Sequence, residues 1–306
     1  MQFLQIFIQQ NNYIFFNEGL GGYMAKLNRK AGFIGAGNMA EAFIGAITKS
    51  GIIAASKVVA SDVNEERLDS LKKNYGISVT NDNFKVFSMS DIVILAVKPQ
   101  QVPAVLTQIV NREDYSLQGR KLIISIAAGI TLEKLESILY TPLNKENIIN
   151  LPIIRVMPNT PALVLAGMSG MVPNRYANPD DINIVRTILE AMGKVIEFKE
   201  DALDAVTALS GSGPAYVFYL VESMIQGGIN LGLDPYDATI LTITTLKGSV
   251  ALLEEMDESP ELLRKRVTSP GGTTEEAFKI LEKKKVKEII TEAIAAAARR
   301  SAELSR

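Results

Sequence analysis

The chain has 306 residues, 47% of them hydrophobic and 22% charged, with a formal net charge of -2. This is the composition of a globular protein with room for two cores, and it carries no basic footprint for nucleic acid or for an anionic membrane surface. Cysteine and histidine are both absent, which excludes disulfides, thiolate nucleophiles, thiolate- or imidazole-bound metal, a Ser–His dyad and the usual neutral-pH proton shuttle. Chemistry is therefore expected to use a bound cofactor, backbone donors, hydroxyls, lysine or carboxylates, with no metal.

Residues 1–23 carry short apolar runs, Phe3 to Ile8 and Tyr13 to Phe16, split by Gln9, Gln10, Asn11 and Asn12, and the first basic residue is Lys26. Without a basic leader, a continuous apolar segment or arginines, this is neither a secretory signal nor a transit peptide. The runs are also too short to span a bilayer. Met24 just ahead of the first strand reads as a natural start, so translation is expected to begin there, with residues 1–23 a disordered extension or a mis-assigned start. A cytoplasmic location fits this reading.

From Ala31 onward, strand-like and helix-like segments alternate. Strands are expected near 31–35, 57–61, 77–79, 91–97, 121–126 and 152–156, and helices near 38–50, 64–74, 83–88, 100–109 and 131–140. Such alternation predicts a doubly wound parallel sheet. The runs from Asp91 to Val97 and from Lys121 to Ile126 are nearly all apolar, as strands covered on both faces should be. Segments 170–172 and 194–198, on either side of a helix over 179–192, extend the sheet. Beyond Phe198 the pattern turns helical: 201–209 and 214–231 separated by Ser210-Gly211-Ser212-Gly213, then Asp234-Pro235 to about Met256, a short helix from Ser259-Pro260, and helices over 274–284 and 286–303. Domains of 24–198 and 199–306 follow. The helix through Ala238 to Leu253 is apolar on nearly every face, which predicts burial against a second subunit.

The stretch Phe33-Ile34-Gly35-Ala36-Gly37-Asn38-Met39-Ala40 joins the first strand to the first helix as G-x-G-x-x-A. Gly35 suits a tight turn, Gly37 allows a ligand close to the backbone, Ala40 allows close helix–strand packing, and the helix N-terminus faces a phosphate. The second strand ends at Asp62, where a Rossmann-type fold contacts the adenosine ribose. A nicotinamide dinucleotide site is predicted. Asp62 would repel a ribose phosphate, whereas Asn64, Arg67 or Lys98 would reach one, so NADH and NADPH both stay open. Further strand ends carry Ala96-Val97-Lys98-Pro99, the small residues around Ala127, and Asn159. Ligands of open α/β sheets lie at such ends.

A second candidate lies in Ser269-Pro270-Gly271-Gly272-Thr273-Thr274. Thr273 with Glu276 fits a capping box, and the two glycines before the helix also form a backbone cradle for a carboxylate. Ser269 adds a hydroxyl donor, and Thr274 is placed to reach an atom beside the carboxylate.

From about Met24 to the C-terminus the sequence resembles pyrroline-5-carboxylate reductase, the enzyme of the last step of proline biosynthesis. The resemblance rests on the glycine turn, Ala96-Val97-Lys98-Pro99, Arg155-Val156-Met157-Pro158-Asn159-Thr160-Pro161, Ser210-Gly211-Ser212-Gly213-Pro214-Ala215-Tyr216 and Ser269 to Thr274. It implies that the turn (Gly35, Ala36, Gly37, Asn38, Met39), Ala96 to Pro99 and Asn83 hold the cofactor. It also implies that Ser269, with the N–H groups of Gly272 and Thr273, holds the substrate carboxylate, that Thr274 contacts the ring nitrogen, and that the helical domain interlocks two subunits in a homodimer or higher oligomer. Residues 1–23 have no counterpart in the resemblance.

The implied reaction is hydride transfer from NADPH or NADH to the C=N carbon of 1-pyrroline-5-carboxylate. An imine is basic enough to be protonated before or during attack, so a chain without His or Cys can do this. Two other readings compete. A related hydroxy-acid dehydrogenase would use a lysine on the helix after the nucleotide domain, and none occurs between Asp201 and Leu233. A non-catalytic dinucleotide-binding protein would have no need of the hydroxyls of Ser269 and Thr274.

Overall fold

A computed structural model describes residues 26–305. The expectations for residues 1–23 and for a start at Met24 lie outside the described residues. Eight strands, β1 (Ala31–Ile34), β2 (Val58–Ser61), β3 (Ser78–Thr80), β4 (Ile92–Leu95), β5 (Leu122–Ser125), β6 (Ile153–Met157), β7 (Gly167–Pro173) and β8 (Gly193–Glu197), form one sheet in the order β3-β2-β1-β4-β5-β6-β7-β8. The six strands expected in the alternating region are all present, and β3 to β6 run parallel across the sheet.

Successive strand residues point to opposite faces, and both faces are dry. Phe33, Ile92 and Ile94 pack on one side with α1 (Asn38–Lys49), α2 (Glu65–Tyr75) and α7 (Pro179–Glu190), through Phe43, Ile47, Leu71 and Ile188. Ile34, Val93 and Leu95 pack on the other with α3 (Asn83–Met89), α4 (Val102–Val110) and α5 (Leu132–Leu139), through Phe87, Leu106 and Leu135. Each fully buried side chain of this size contributes about 1.5–3 kcal/mol, and the buried residues of both clusters all come from between Ala31 and Met192.

The last two strands run the other way: β7 pairs antiparallel with β6, and β8 parallel with β7 across the α7 crossover. The link 158–166 is too short for the crossover of a dozen or more residues that a parallel β7 would need. The short helix α6 (Lys145–Ile148), capped by Asn144 accepting from Asn147 N–H at 2.8 Å, has no apolar stripe and escapes a periodicity reading.

Helices dominate after Glu197. The expected break at 210–213 narrows to Ser212. α8 (Leu203–Val206) runs through a π-helical turn, Thr207–Gly211, into α9 (Gly213–Asn230). There Ser212 N–H reaches Thr207 O at 2.8 Å, an i→i−5 bond. A Cβ at Gly211 would lie 2.4 Å from the terminal methyl of Met157 at the end of β6. Then come α10 (Pro235–Glu255), α11 (Pro260–Arg266), α12 (Thr273–Lys283) and α13 (Val286–Leu304). Helix α13 folds back on earlier elements: Ser301 Oγ donates to Asp204 Oδ1 of α8 at 2.6 Å, and Leu304 lies against the turn at Gly129 after β5. By contrast α10 buries only Ala238 and Thr242, leaving Leu241, Ile243, Val250 and Leu252 exposed.

Candidate active site

Strand order reverses between β1 and β4, both of which pair with neighbours that come later in the chain. A crevice at that switch point is where open α/β sheets take ligands. The glycine turn follows β1. Gly35 has φ +101°, and a Cβ there would sit 2.7 Å from the Ala96 and Val97 backbone. Glycine is therefore what lets the ends of β1 and β4 approach. A Cβ at Gly37 would meet no protein atom within 4 Å. Gly37 is also the N-cap of α1 and provides no capping side chain, so the first N–H groups of that helix face open space. This is the geometry that takes a phosphate. Ala40 is fully buried against the sheet.

Around the turn stand the other sequence-predicted residues. Asp62 Oδ2 accepts from Ala36 N–H at 2.7 Å and Oδ1 from Asn64 N–H at 2.9 Å. Arg67 donates from Nε to Ala36 O at 2.7 Å, and from Nη2 to Glu41 Oε2 at 2.5 Å and Asn38 Oδ1 at 3.4 Å. Tyr75 donates to Glu41 Oε1 at 3.2 Å; burial first, then the charge of Glu41, raises its hydroxyl pKa. Asn83 begins α3, and its side-chain carbonyl accepts from Ser61 Oγ at 2.7 Å, which leaves its amide donors for a ligand. Lys98 is exposed beside the half-buried Pro99 at the end of β4, and Ala127 is buried after β5.

Asn159 is committed differently. Its carbonyl accepts from Met168 N–H at 2.9 Å and its amide donates to Ser210 O and Oγ at 3.3 Å. Its side chain ties the end of β6 to β7 and to the π-helical turn, so a cofactor contact from Asn159 would have to come from its backbone.

The second candidate lies on the helical region. Ser269 and Thr273 are exposed, Thr274 is half-buried, and Gly271 has φ +70°. Two expectations are corrected here. The capping box of Thr273 with Glu276 is absent: Gly272 is the N-cap of α12, and Glu276 pairs with Lys279 instead. The N–H of Gly272 is also spent on the turn carbonyl of Ser269 at 3.0 Å. Gly271 N–H is bound at 2.7 Å by the Glu275 carboxylate, which shows that a carboxylate fits against this backbone. Thr273 and Thr274 open α12, where N–H groups lack a preceding helical carbonyl. Helix α12 packs chiefly on α13, and no described hydrogen bond joins this cradle to the glycine turn.

One ion pair that sequence reading missed links the two regions. Arg155 on β6 is 6% exposed and pairs through Nη1 with Glu200 Oε1, which also accepts from Leu132 N–H at 3.0 Å at the start of α5. The available signal was a charged residue inside the apolar run of β6, since a buried charge demands a partner; nothing local says which.

A doubly wound sheet whose switch point holds an open glycine turn, an uncapped helix N-terminus and an acidic residue at the end of β2 defines a dinucleotide-dependent oxidoreductase. Residues 200–304 match the family described as pyrroline-5-carboxylate reductase dimerisation, and residues 30–129 match NADP oxidoreductase coenzyme F420-dependent. The chain belongs to the pyrroline-5-carboxylate reductase family. It is 37% identical to the pyrroline-5-carboxylate reductase of Synechocystis over 90% of this chain and 98% of that protein. Two solved pyrroline-5-carboxylate reductases superpose with TM-scores of 0.80: that of Coxiella burnetii, 34% identical, and that of Plasmodium falciparum with NADP bound, 32% identical. Each match covers 92% of this chain and 100% of the other. Among the described residues no helix is long and apolar enough to cross a membrane, and no group of three acidic or other ligating side chains could hold a metal ion.

Proposed function

We propose that the chain reduces 1-pyrroline-5-carboxylate to L-proline with NADPH or NADH, and that it works in the cytoplasm as a homodimer or larger assembly. Membership of the family, established over nine-tenths of the chain, carries this reading. A division at 198/199 into a dinucleotide domain and a helical substrate and dimerisation domain accompanies it.

When bound, reduced nicotinamide supplies the hydride. Gly35 to Met39 and the α1 N-terminus hold the pyrophosphate, Asp62 and Asn83 the adenosine side, and Ala96 to Pro99 with Ala127 the region toward the ring. At the other end, Ser269, with the N–H groups of Thr273 and Thr274, holds the substrate carboxylate, and Gly271 gives the cradle its left-handed turn. Glu275 keeps the Gly271 N–H until substrate arrives. The Thr274 hydroxyl orients the ring nitrogen and holds its proton. No strong acid is required of the protein, because the imine carries its own basicity; the work of the residues is orientation and exclusion of water. Because the cradle and the glycine turn share no described contact within one chain, and α10 leaves its apolar face open, the complete site needs the second subunit.

The test is loss of reduced-nicotinamide absorbance when pyrroline-5-carboxylate is added to the purified chain, with proline identified as product. No oxidation with either nucleotide would refute the reading.

A further inference from the structure

The end of β2 decides whether the adenosine ribose of a dinucleotide carries a hydroxyl or a phosphate at its 2′ position. In this chain that position is built against a phosphate from two sides. The first is the Asp62 carboxylate, pinned by two backbone N–H groups, those of Ala36 at 2.7 Å and Asn64 at 2.9 Å. A carboxylate accepts about four hydrogen bonds and donates none. It therefore has acceptor sites left for two ribose hydroxyls, and nothing to offer a phosphate but its charge. Swinging aside to admit one would forfeit both charge-assisted bonds.

The second side is the fate of the nearest arginine in sequence. Arg67 stands in the first turns of α2, where a free guanidinium would attract a 2′-phosphate. Instead it is fastened to α1 and the glycine turn: Nε on Ala36 O, Nη2 on Glu41 Oε2 at 2.5 Å, with Asn38 at 3.4 Å. Glu41 is held in turn by the Tyr75 hydroxyl. The pair is partly shielded, its side chains 27% and 23% exposed, so solvent screens it less than a surface pair. The first turn of α2 adds two more carboxylates, Glu65 and Glu66, and the end of β3 adds Asp82, which caps α3. Lys98 follows β4, two strands from β2, or about 10 Å across the sheet.

Resting on the reading of the glycine turn as a dinucleotide site, we propose that this chain selects NADH over NADPH, with Asp62 as the selector and Glu41 as the residue that withholds Arg67 from a 2′-phosphate.

Isothermal titration of the full-length protein with NADH and with NADPH, without substrate, reads the preference directly. NADH should bind about 10-fold or more tightly, and the gap should narrow when salt is raised from about 0.1 M to about 1 M, as the screening length falls from about 10 Å to about 3 Å. Glu41→Ala, which removes the carboxylate that holds Nη2, should tighten NADPH several-fold while NADH changes little; Asp62→Ser should weaken NADH and remove most of the discrimination. Equal or tighter binding of NADPH by the unmodified protein overturns the proposal, as does an Asp62→Ser protein that keeps the full gap. Binding of neither nucleotide would overturn the dinucleotide reading itself, and the preference with it.

Discussion

The Arg155–Glu200 pair makes a directional prediction, because its two members are unequally buried. Arg155 lies inside the sheet domain with 8% of its side chain exposed, whereas 36% of the Glu200 side chain is exposed even though Oε2 is buried and unpartnered among the described residues. Glu200→Ala strands a guanidinium that cannot reach water and also strips Leu132 N–H of its acceptor. Breaking a buried pair costs about 3–5 kcal/mol; with the Glu200 side chain only part-buried, the low end, about 3 kcal/mol, is expected. Arg155→Met fills similar volume and leaves a carboxylate whose stem is already at the surface and can turn outward, so about 1 kcal/mol is expected. Urea denaturation, at one protein concentration so that subunit association is held fixed, should place the Glu200→Ala midpoint about 1 M below the unmodified protein and Arg155→Met much closer to it. The double substitution should recover most of the Glu200→Ala loss. If Arg155→Met is the more damaging single change, or if Glu200→Ala stays within about 1 kcal/mol of the unmodified protein, burial asymmetry does not govern this pair and the argument fails.

Other expectations follow from separate parts of the molecule. Thr274→Ala should lower turnover at least about 10-fold with little change in nucleotide affinity; steady-state kinetics beside titration would separate the two, and unchanged turnover removes Thr274 from the mechanism. Leu241→Glu, on the open face of α10 where the side chain is 55% exposed, should yield monomers by sedimentation without unfolding the sheet domain; an unaltered oligomer would move the interface elsewhere. Lys121 donates to Phe87 O, and burial pushes its ammonium down to about 8, with Asp91 opposing. Below that pH both folded and unfolded chains carry the proton and the fold bears the full penalty. Above it the folded chain releases the proton while the unfolded chain keeps it to about 10.4. Stability should therefore rise from pH 8 toward 9.5, and Lys121→Met should flatten that rise.

The sheet domain was legible because each of its strands repeats a pattern that burial enforces. Alternating residues of β1 and β4 go to opposite cores, so a run of apolar residues between helical segments could be little else. The direction of β7 was not legible, since strand polarity depends on which neighbour the chain meets after a short link. The segment Ser210 to Gly213 misled for a related reason. Two glycines and two serines read as a four-residue break, yet Ser210 and Gly211 complete a π-helical turn and Gly213 already begins the next helix. The candidate cofactor residues of the turn, Gly35 and Gly37, were visible as glycines. The side-chain candidates needed the fold: Asn83 is oriented by Ser61, whereas the Asn159 side chain is taken up by Met168 and Ser210. At the cradle, the local pattern placed the helix start one residue late: Gly272, after the left-handed Gly271, is the cap where Thr273 was expected.

Two open features of the single chain call for one answer. The α10 face exposes Leu241, Ile243, Val250 and Leu252, an apolar patch that water disfavours and that no described element covers. The cradle at Ser269 to Thr274 lies between α11 and the first turn of α12, and no described hydrogen bond ties it to the glycine turn. A second copy docked on α10 would bury the first feature, and it would place one copy's cradle within reach of the other's switch point. Assembly and catalysis would then share an interface, so the hydrophobic term that holds the subunits together would also preorganise the site. The sheet domain, with its own core on both faces, would keep its nucleotide affinity in the monomer. Monomeric Leu241→Glu protein should accordingly bind nucleotide normally and turn over substrate hardly at all.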